Sequence, residues 1–157
     1  CNMLDVKTAF LQGNILDREI YIRPPKEANV SNKLWRLKKC VYGLNEASRH
    51  WYNRLNDELL KLNMSRSKFD EALYYYEVDG LCQGIISIHV DDFLYGGTDL
   101  FITNIIEKLK LIFVVGKVES VPMKYLGINI DQTNENIVYS QQSYIESIDT
   151  VDINIVN

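Results

Sequence analysis

The stretch Ile85-Ile86-Ser87-Ile88-His89-Val90-Asp91-Asp92-Phe93-Leu94-Tyr95-Gly96-Gly97 is the most informative part of the sequence. An isoleucine-rich run leads into two adjacent carboxylates, and a second apolar run ends at a glycine pair, so the pattern predicts strand, tight turn, strand. Side chains alternate between the two faces of a strand, so neighbouring acids are presented together only where a turn interrupts the alternation. We therefore expect Asp91 and Asp92 at the tip of a β-hairpin.

This acidic pair has two possible roles. Two carboxylates at a hairpin tip repel each other, and a divalent cation with oxygen ligands offsets that repulsion. Asp-Asp is also an ordinary solvated turn dipeptide. The pair alone therefore leaves both a metal site and a polar turn open.

The composition indicates one folded domain. The 157 residues are 46% hydrophobic, and a chain of this length buries about two thirds of its unfolded surface. No run approaches the roughly 18 apolar residues of a membrane span, so we expect no membrane partner and an intracellular location. Cys1, Cys40 and Cys82 lack Cys-x-x-Cys spacing, which supports neither a disulfide framework nor a zinc site, and we expect them in the core.

Charge is distributed unevenly along the chain. The formal net charge is −4, yet nine basic residues and three acids lie between Lys33 and Lys68, which gives that segment +6 and the remainder −10. An enzyme that handles polynucleotides needs Lys and Arg for the phosphate backbone and carboxylates for a metal site. An ordinary solvated helix face would show the same basic excess. The segment is therefore compatible with either interpretation.

The sequence before the central stretch alternates between strand and helix patterns. Gly13 ends a short helical pattern, and Trp51, Leu55 and Leu59 repeat at the spacing of one helix face. Residues 63–68 are polar and are expected to form a linker. The elements expected in this half are strands over 3–6, 20–23, 34–37 and 72–76, and helices over 7–13 and 47–62.

The sequence after residue 76 predicts hairpins separated by one helix. Asp79-Gly80 is a hairpin turn signal, and Thr98 or Asp99 can cap a helix with an isoleucine-rich face. A strand near 114–118, a last hairpin built from 123–130 and 137–139, and a helix beginning near Gln141 follow. This order predicts an α+β fold, with helices packed on one face of a mostly antiparallel sheet.

Four segments occur in order along the chain: Leu4-Asp5-Val6-Lys7-Thr8-Ala9-Phe10-Leu11-Gln12-Gly13, Val41-Tyr42-Gly43-Leu44-Asn45-Glu46-Ala47-Ser48-Arg49-His50-Trp51-Tyr52, His89-Val90-Asp91-Asp92 and Lys124-Tyr125-Leu126-Gly127. Read together, they resemble successive motifs of a copia-type retrotransposon reverse transcriptase, an RNA-directed DNA polymerase. The resemblance covers the chain to about residue 151. Four ordered motifs are far more specific than one acidic pair.

The resemblance implies a polymerase palm-like fold that presents three carboxylates, Asp5, Asp91 and Asp92, as catalytic residues and metal ligands. In nucleotidyl transfer a primer 3′-hydroxyl attacks the α-phosphate of a dNTP and pyrophosphate leaves. Two divalent ions, Mg²⁺ or Mn²⁺, about 3.5–4 Å apart stabilise the attacking and leaving oxygens. We expect Asp5 and Asp91 as direct ligands and include Asp92 in the site.

The resemblance also implies roles in nucleotide binding for Phe10 and Glu46. Phe10 matches an aromatic residue that packs under the incoming sugar and excludes a 2′-hydroxyl, although it could equally be a core phenylalanine. Glu46 stands where many relatives have glutamine. Because an acid near a triphosphate is electrostatically unfavourable, Glu46 is expected to weaken nucleotide affinity.

Nucleic-acid binding is implied for a further group of residues. Arg49 matches the second motif, and the segment that begins at Lys124 resembles the hairpin that grips the primer strand. His89 replaces a commoner tyrosine and is interpreted as a strand-filling ring rather than a ligand. The residues expected to contact template or primer are Arg49, Lys124, Tyr125 and Gly127.

The resemblance assigns residues 1–151 to a partial palm domain and 152–157 to a C-terminal tail. The chain starts four residues before Asp5, so we expect the fingers region to be missing and these residues alone to have little activity, since positioning and charge stabilisation dominate this chemistry. Expected partners are a primed RNA or DNA template and dNTP, with the integrase and RNase H of the polyprotein outside this chain. The expected location is cytoplasmic, in a virus-like particle, or nuclear.

Two other classes of function remain open at this point. An inactive or repurposed element remnant would bind nucleic acid at most, without polymerising. A different two-metal nucleotidyl enzyme on a palm-like fold, such as a nucleotide cyclase, would also need three acids. That last interpretation leaves the 42–52 segment and the basic 33–68 segment unexplained.

Overall fold

The central element of the protein is a six-stranded antiparallel sheet. The computed structural model describes residues 1–30 and 33–149. The strand order is β4-β5-β6-β7-β1-β8, and each of these pairings is antiparallel. The strands are β1 (Asn2–Val6), β4 (Met64–Arg66), β5 (Leu73–Val78), β6 (Leu81–His89), β7 (Asp92–Gly97) and β8 (Val115–Ser120).

Helices cover one face of this sheet. Along β1 and β7 the buried residues Leu4, Val6, Phe93 and Tyr95 alternate with less buried ones and pack with Trp51 in one large core. The apolar spacing that predicted the two longer helices therefore marks the faces they bury. The helical segments are α1 (Ala9–Gln12), α2 (Ala47–Lys61), α3 (Asp99–Phe101), a π-helical segment (Ile102–Ile106) and α4 (Glu107–Ile112).

The other face of the sheet carries a second, smaller core. Met3 of β1 and Leu94 of β7 pack there against Met123, Tyr125 and Ile130. These come from a three-stranded antiparallel sheet, which is followed by a short helix. Its elements are β9 (Met123–Tyr125), β10 (Ile128–Gln132), β11 (Ile137–Ser140) and α5 (Gln142–Glu146).

A separate two-stranded ribbon lies between α1 and α2 in the chain. It pairs β2 (Ile15–Ile22) with β3 (Trp35–Lys39), and its register shifts between Ile15 and Ile20. A 3₁₀ turn at Lys26–Ala28 follows β2. The ribbon contains the strands that the sequence predicts over 20–23 and 34–37, and β2 begins five residues earlier than expected.

The α+β class and the antiparallel sheet with helices on one face are confirmed. Two local predictions are wrong. Part of the expected 63–68 linker is the edge strand β4, and the expected continuous strand over 123–130 is divided by a turn at Leu126-Gly127, both in the left-handed region at φ 48° and 83°. The expected 152–157 tail lies outside the described residues.

The cysteine prediction holds for one residue of three. Cys40 is buried, whereas Cys1 is partly exposed and Cys82 is exposed on β6. Cys82 lies near the free end of a hairpin whose turn is Asp79-Gly80. Because solvent borders the strand at that position, the Cys82 side chain does not reach the core.

Candidate active site

Asp5 and Asp92 lie directly opposite each other on neighbouring strands. They are paired in the register of β1 and β7, and cross-strand partners present their side chains on the same face, about 4.5–5.5 Å apart at Cβ. That face is the one that carries the second core, because Met3 and Leu94 alternate in phase with the two acids. Two residues 87 positions apart in sequence therefore share one surface of the sheet.

Asp91 occupies the tight turn beside this pair. His89 and Asp92 are paired in register, so Val90 and Asp91 form the two-residue turn between β6 and β7. Both turn carbonyls accept hydrogen bonds: the Trp51 indole Nε1 donates to Val90 at 2.7 Å, and the backbone amide of Val6 donates to Asp91 at 2.9 Å. The turn is thereby joined to α2 and to the strand that carries Asp5.

Gly116 makes room for the Asp5 carboxylate. The β1–β8 register shifts between Leu4 and Val6, which places a bulge beside Asp5, and a Cβ built at position 116 would overlap Oδ2 of Asp5. Bulges re-aim side chains near active sites. The glycine and the bulge together determine where this carboxylate can lie.

Negative charge is concentrated around Asp92. Burial raises the pKa of the Asp92 carboxyl, the negative charges of Asp91 and Asp5 raise it further, and His89 lowers it. Burial also raises the pKa of the Tyr125 hydroxyl, and the charge of Asp92 adds to that effect. Tyr125 of β9 thus lies within electrostatic reach of the acids.

The donor set fits a hard divalent cation, since it consists of carboxylate oxygens. Within residues 1–30 and 33–149, no three acidic, histidine or cysteine side chains already converge as a closed ligand set. Asp5 and Asp92 share a face, and Asp91 adjoins them in the turn.

Phe10 is half-buried at the edge of the large core. It packs against the main cluster on one side, and its ring contacts that of the exposed Tyr42, with centroids 4.6 Å apart. The structure is therefore compatible with both roles that the sequence left open, because one part of the ring is core and another borders a surface aromatic.

Glu46 is neutralised by an arginine that the sequence did not indicate. Arg18 of β2 donates two hydrogen bonds of 2.8 Å to the two carboxylate oxygens of Glu46, just before α2 begins. Such forked pairs are among the stronger ionic contacts. The expected electrostatic penalty of Glu46 toward a triphosphate is reduced accordingly.

The residues expected to contact nucleic acid fall on two elements. Arg49 is exposed on the first turn of α2. Lys124 is exposed on β9, Tyr125 is buried as part of the second core, and Gly127 forms the turn to β10. The β9–β10 hairpin and the acids thus lie on the same side of the sheet. That Arg49 and the hairpin residues contact nucleic acid stays a prediction.

The basic segment is only partly neutralised. Arg36 pairs with Glu19, Arg54 and Lys61 both pair with the buried Glu58, and Arg66 approaches Glu71 at 3.9 Å. The basic residues of this segment that form no ion pair with another described residue are Lys33, Lys38, Lys39, Arg49 and Lys68. An excess of solvated positive charge therefore remains.

Sequence reasoning missed Gly116, Arg18 and the indole donor of Trp51. An isolated glycine within a strand pattern is a signal of a bulge or a close approach and could have indicated Gly116. The other two are long-range polar contacts, which residue spacing does not encode. In the described part of the chain no helix is long and apolar enough to cross a bilayer.

The whole chain matches a protein family described as reverse transcriptase (RNA-dependent DNA polymerase), over residues 1–157. It is 32% identical to the retrovirus-related Pol polyprotein from transposon TNT 1-94 of Nicotiana tabacum, covering 92% of this chain and 11% of that protein. It is 32% identical to the Pol polyprotein from transposon RE1 of Arabidopsis thaliana, covering 90% and 10%.

A transposon Ty5-1 protein of Saccharomyces cerevisiae is 34% identical, over 90% of this chain and 47% of that protein. The chain thus spans about a tenth of the plant Pol polyproteins and about half of the yeast protein. These similarities, and the motif order that runs from Asp5 to Gly127, agree with one another. The chain belongs to the reverse transcriptase (RNA-dependent DNA polymerase) family found in copia-type retrotransposon Pol polyproteins.

Proposed function

We propose that this chain is the catalytic palm region of an RNA-directed DNA polymerase, which extends a primer on an RNA or DNA template from dNTP by two-metal nucleotidyl transfer. The observation that carries the proposal is the pairing of Asp5 with Asp92 across β1 and β7, with Asp91 in the adjoining turn. Carboxylates from two separate parts of the chain are what a pair of bridged cations requires. Family membership supports the same reaction class.

Asp5, Asp91 and Asp92 would hold two Mg²⁺ or Mn²⁺ ions, which when bound supply Lewis acidity at the attacking and leaving oxygens. The protein's own contribution is to fix these carboxylates on paired strands. Gly116 and the bulge beside it direct Asp5, and the hydrogen bonds to Val90 and Asp91 hold the turn. Positioning of this kind is the main contribution a protein makes to phosphoryl transfer.

The surroundings of the acids suit a nucleic-acid substrate. The β9–β10 hairpin borders the acidic face through the second core, and its exposed Lys124 could contact a primer phosphate. Arg49 on α2 adds exposed positive charge, and the Arg18–Glu46 pair limits the negative charge near its helix start. Phosphate contacts of this kind position a strand without reading its sequence.

The test is primer extension on an RNA template with Mg²⁺ or Mn²⁺. Three proteins are compared: the 157-residue chain, the chain fused to a fingers segment from a related element, and the fusion carrying Asp91→Asn and Asp92→Asn. We expect extension by the fusion and its loss, by at least about a thousandfold, in the double variant, since removal of metal ligands removes most of the charge stabilisation. Asp57→Asn, an exposed acid on α2, is the matched control and should leave extension unchanged.

A folded fusion that binds primed template but never extends it would contradict the polymerase proposal. An element remnant that at most binds nucleic acid would then be the better account. Extension that survives the double Asn change would instead show that the activity resides elsewhere. Circular dichroism of each variant establishes that the proteins compared are folded.

A further inference from the structure

We propose that Trp51 is a positioning residue for Asp91: its indole N–H holds the backbone turn that presents this carboxylate. The link to catalysis rests on the proposed function, whereas the link to the turn is a property of the folded chain. Trp51 is a core residue by its apolar spacing on α2, so sequence pattern alone gives it only a packing role. The structure gives it a polar contact as well.

The contact is short, and its donor is buried. The Trp51 side chain is buried, with the residue only 2% exposed, and Nε1 lies 2.7 Å from the carbonyl oxygen of Val90. Indole N–H is a donor without an acceptor function, so its burial is favourable only with a partner. Val90 supplies that partner from the residue immediately before Asp91.

The turn itself is conformationally unfavourable without support. Val90 has φ 56°, in the left-handed region, where a β-branched residue is a genuine outlier. Two-residue hairpin turns of this kind ordinarily use Asn, Asp or Gly at such positions. Strained backbone of this sort persists only where surrounding contacts determine it, and it is concentrated at functional sites.

An open pocket lies between the turn and α2. Its volume is about 180 Å³, and it is lined mainly by apolar groups that include Trp51, Tyr52, Ile88 and Val90. Side chains that line an open pocket lack packing partners on that side. The turn is instead held by two directional contacts, from Trp51 to Val90 and from the Val6 amide to Asp91.

The orientation of the indole is fixed from its other side. Phe113, which follows α4, meets Trp51 edge-on, with centroids 5.1 Å apart and an interplanar angle of 74°. Phenylalanine at position 51 would keep an aromatic ring against Phe113 and remove the N–H donor. The two roles of Trp51, packing and donation, can therefore be separated.

The first experiment compares Mn²⁺ binding by the 157-residue chain, measured by electron paramagnetic resonance of free Mn²⁺, for wild type, Trp51→Phe and Trp35→Phe. Trp35 lies on β3 and is 44% exposed, which makes it a matched control. We expect Trp51→Phe to weaken Mn²⁺ binding about tenfold, the size of one ordinary hydrogen bond in an equilibrium constant. Trp35→Phe should bind as wild type does.

A second change separates donation from packing. Glycine at position 90 adopts the left-handed region without strain, so Val90→Gly should restore most of the lost affinity when combined with Trp51→Phe. Recovery would show that the indole acts on the turn conformation. If the double variant stays as weak as Trp51→Phe, Trp51 acts through packing and the proposal is wrong. Unchanged Mn²⁺ affinity in a folded Trp51→Phe protein would also overturn it.

A measurement on the unmodified chain needs neither a variant nor metal. The sequence has two tryptophans, so two indole N–H resonances are expected in a proton–nitrogen NMR spectrum. The Trp51 resonance should exchange with solvent at least about a hundredfold more slowly than that of the exposed Trp35, because it is buried and bonded. Equally fast exchange would overturn the proposal. Slow exchange without any Mn²⁺ binding would leave the turn contact established and would contradict the metal role of the acids.

Discussion

A side chain at position 116 would overlap the carboxylate of Asp5, and Gly116 avoids this by having none. The two residues are 111 positions apart and meet because β1 lies between β7 and β8 in the sheet. On one edge of β1, Asp5 faces Asp92, and on the other it lies beside the bulge next to Gly116. The glycine therefore shapes the acidic site without contributing a ligand.

Gly116→Ala should weaken cation binding by displacing the Asp5 carboxylate. The new methyl group would force Asp5 into another rotamer, and supporting changes of this kind cost about 10- to 100-fold in metal affinity. Mn²⁺ titration of the 157-residue chain measures the effect. Gly96→Ala on β7 is the matched control, since a Cβ there meets no atom within 4 Å, and its affinity should equal that of wild type.

A double-variant comparison shows whether Gly116→Ala acts through the Asp5 carboxylate. Once Asp5→Ala has removed the overlapped carboxylate, adding Gly116→Ala should lower the melting temperature less than it does in the wild-type background. An equal fall in melting temperature in both backgrounds would mean that the alanine at position 116 disturbs the strand itself rather than Asp5.

The sheet was predictable where local pattern and packing agree. The alternation around Leu4 and Phe93 and the turn at Asp91 gave the strands, and the helical spacing of Trp51 and Leu55 gave α2. The strand β4 was missed because three residues, two of them polar, show no alternation. The turn at Leu126-Gly127 was missed although Gly127 is an isolated glycine within a strand pattern, because the apolar residues on both sides continue that pattern and leucine rarely adopts the left-handed region.

The polar geometry of the site was less accessible to sequence reasoning. The acids could be selected by type and motif, but the Arg18–Glu46 pair and the Trp51–Val90 contact join elements that are distant in sequence. Their partners depend on how the β2–β3 ribbon and α2 pack, which no residue spacing specifies. The three-dimensional arrangement was needed to identify them.

Gly97→Ala should destabilise the fold, because its Cβ would lie 2.5 Å from the Phe101 ring and 2.7 Å from Gly84 Cα. Phe101 is fully buried and rests on these facing glycines of β6 and β7. Overpacking of this kind costs about 1–3 kcal/mol, which corresponds to a fall of several degrees in melting temperature for a chain of this size. Urea unfolding should confirm the loss, while Gly96→Ala should change the free energy of unfolding by less than about 0.5 kcal/mol.

Arg18→Ala should raise the KM for dNTP about fivefold in an active fusion protein, because it leaves the Glu46 carboxylate without its counter-charge. Adding Glu46→Gln should return the KM toward the wild-type value, since the unpaired charge is then removed. Arg36→Ala is the control, because Arg36 belongs to the same ribbon and pairs with an exposed glutamate, Glu19. A KM that stays high in the Arg18→Ala, Glu46→Gln protein would show that Arg18 acts by another route.

The stability of the metal-free chain should depend on the protonation of Asp92. Its pKa is raised by burial, then by Asp91 and Asp5, while His89 opposes the shift. A carboxyl whose pKa is higher in the folded than in the unfolded state binds its proton more tightly when folded. Its contribution to stability is therefore complete below the unfolded pKa of an aspartate and is lost as the pH rises through the raised folded pKa.

Asp92→Asn should consequently raise the melting temperature of the metal-free chain at pH 7 and have a smaller effect at pH 4, where Asp92 is more protonated. Saturating Mn²⁺ should stabilise the wild type, because a bound cation replaces the missing counter-charge, and should stabilise the Asn variant much less. Asp57→Asn on the exposed face of α2 provides the control at both pH values. If Asp92→Asn lowers the melting temperature at pH 7 without metal, the carboxylate is stabilising in the apo protein, and the interpretation of this acidic face as a site that needs a cation fails.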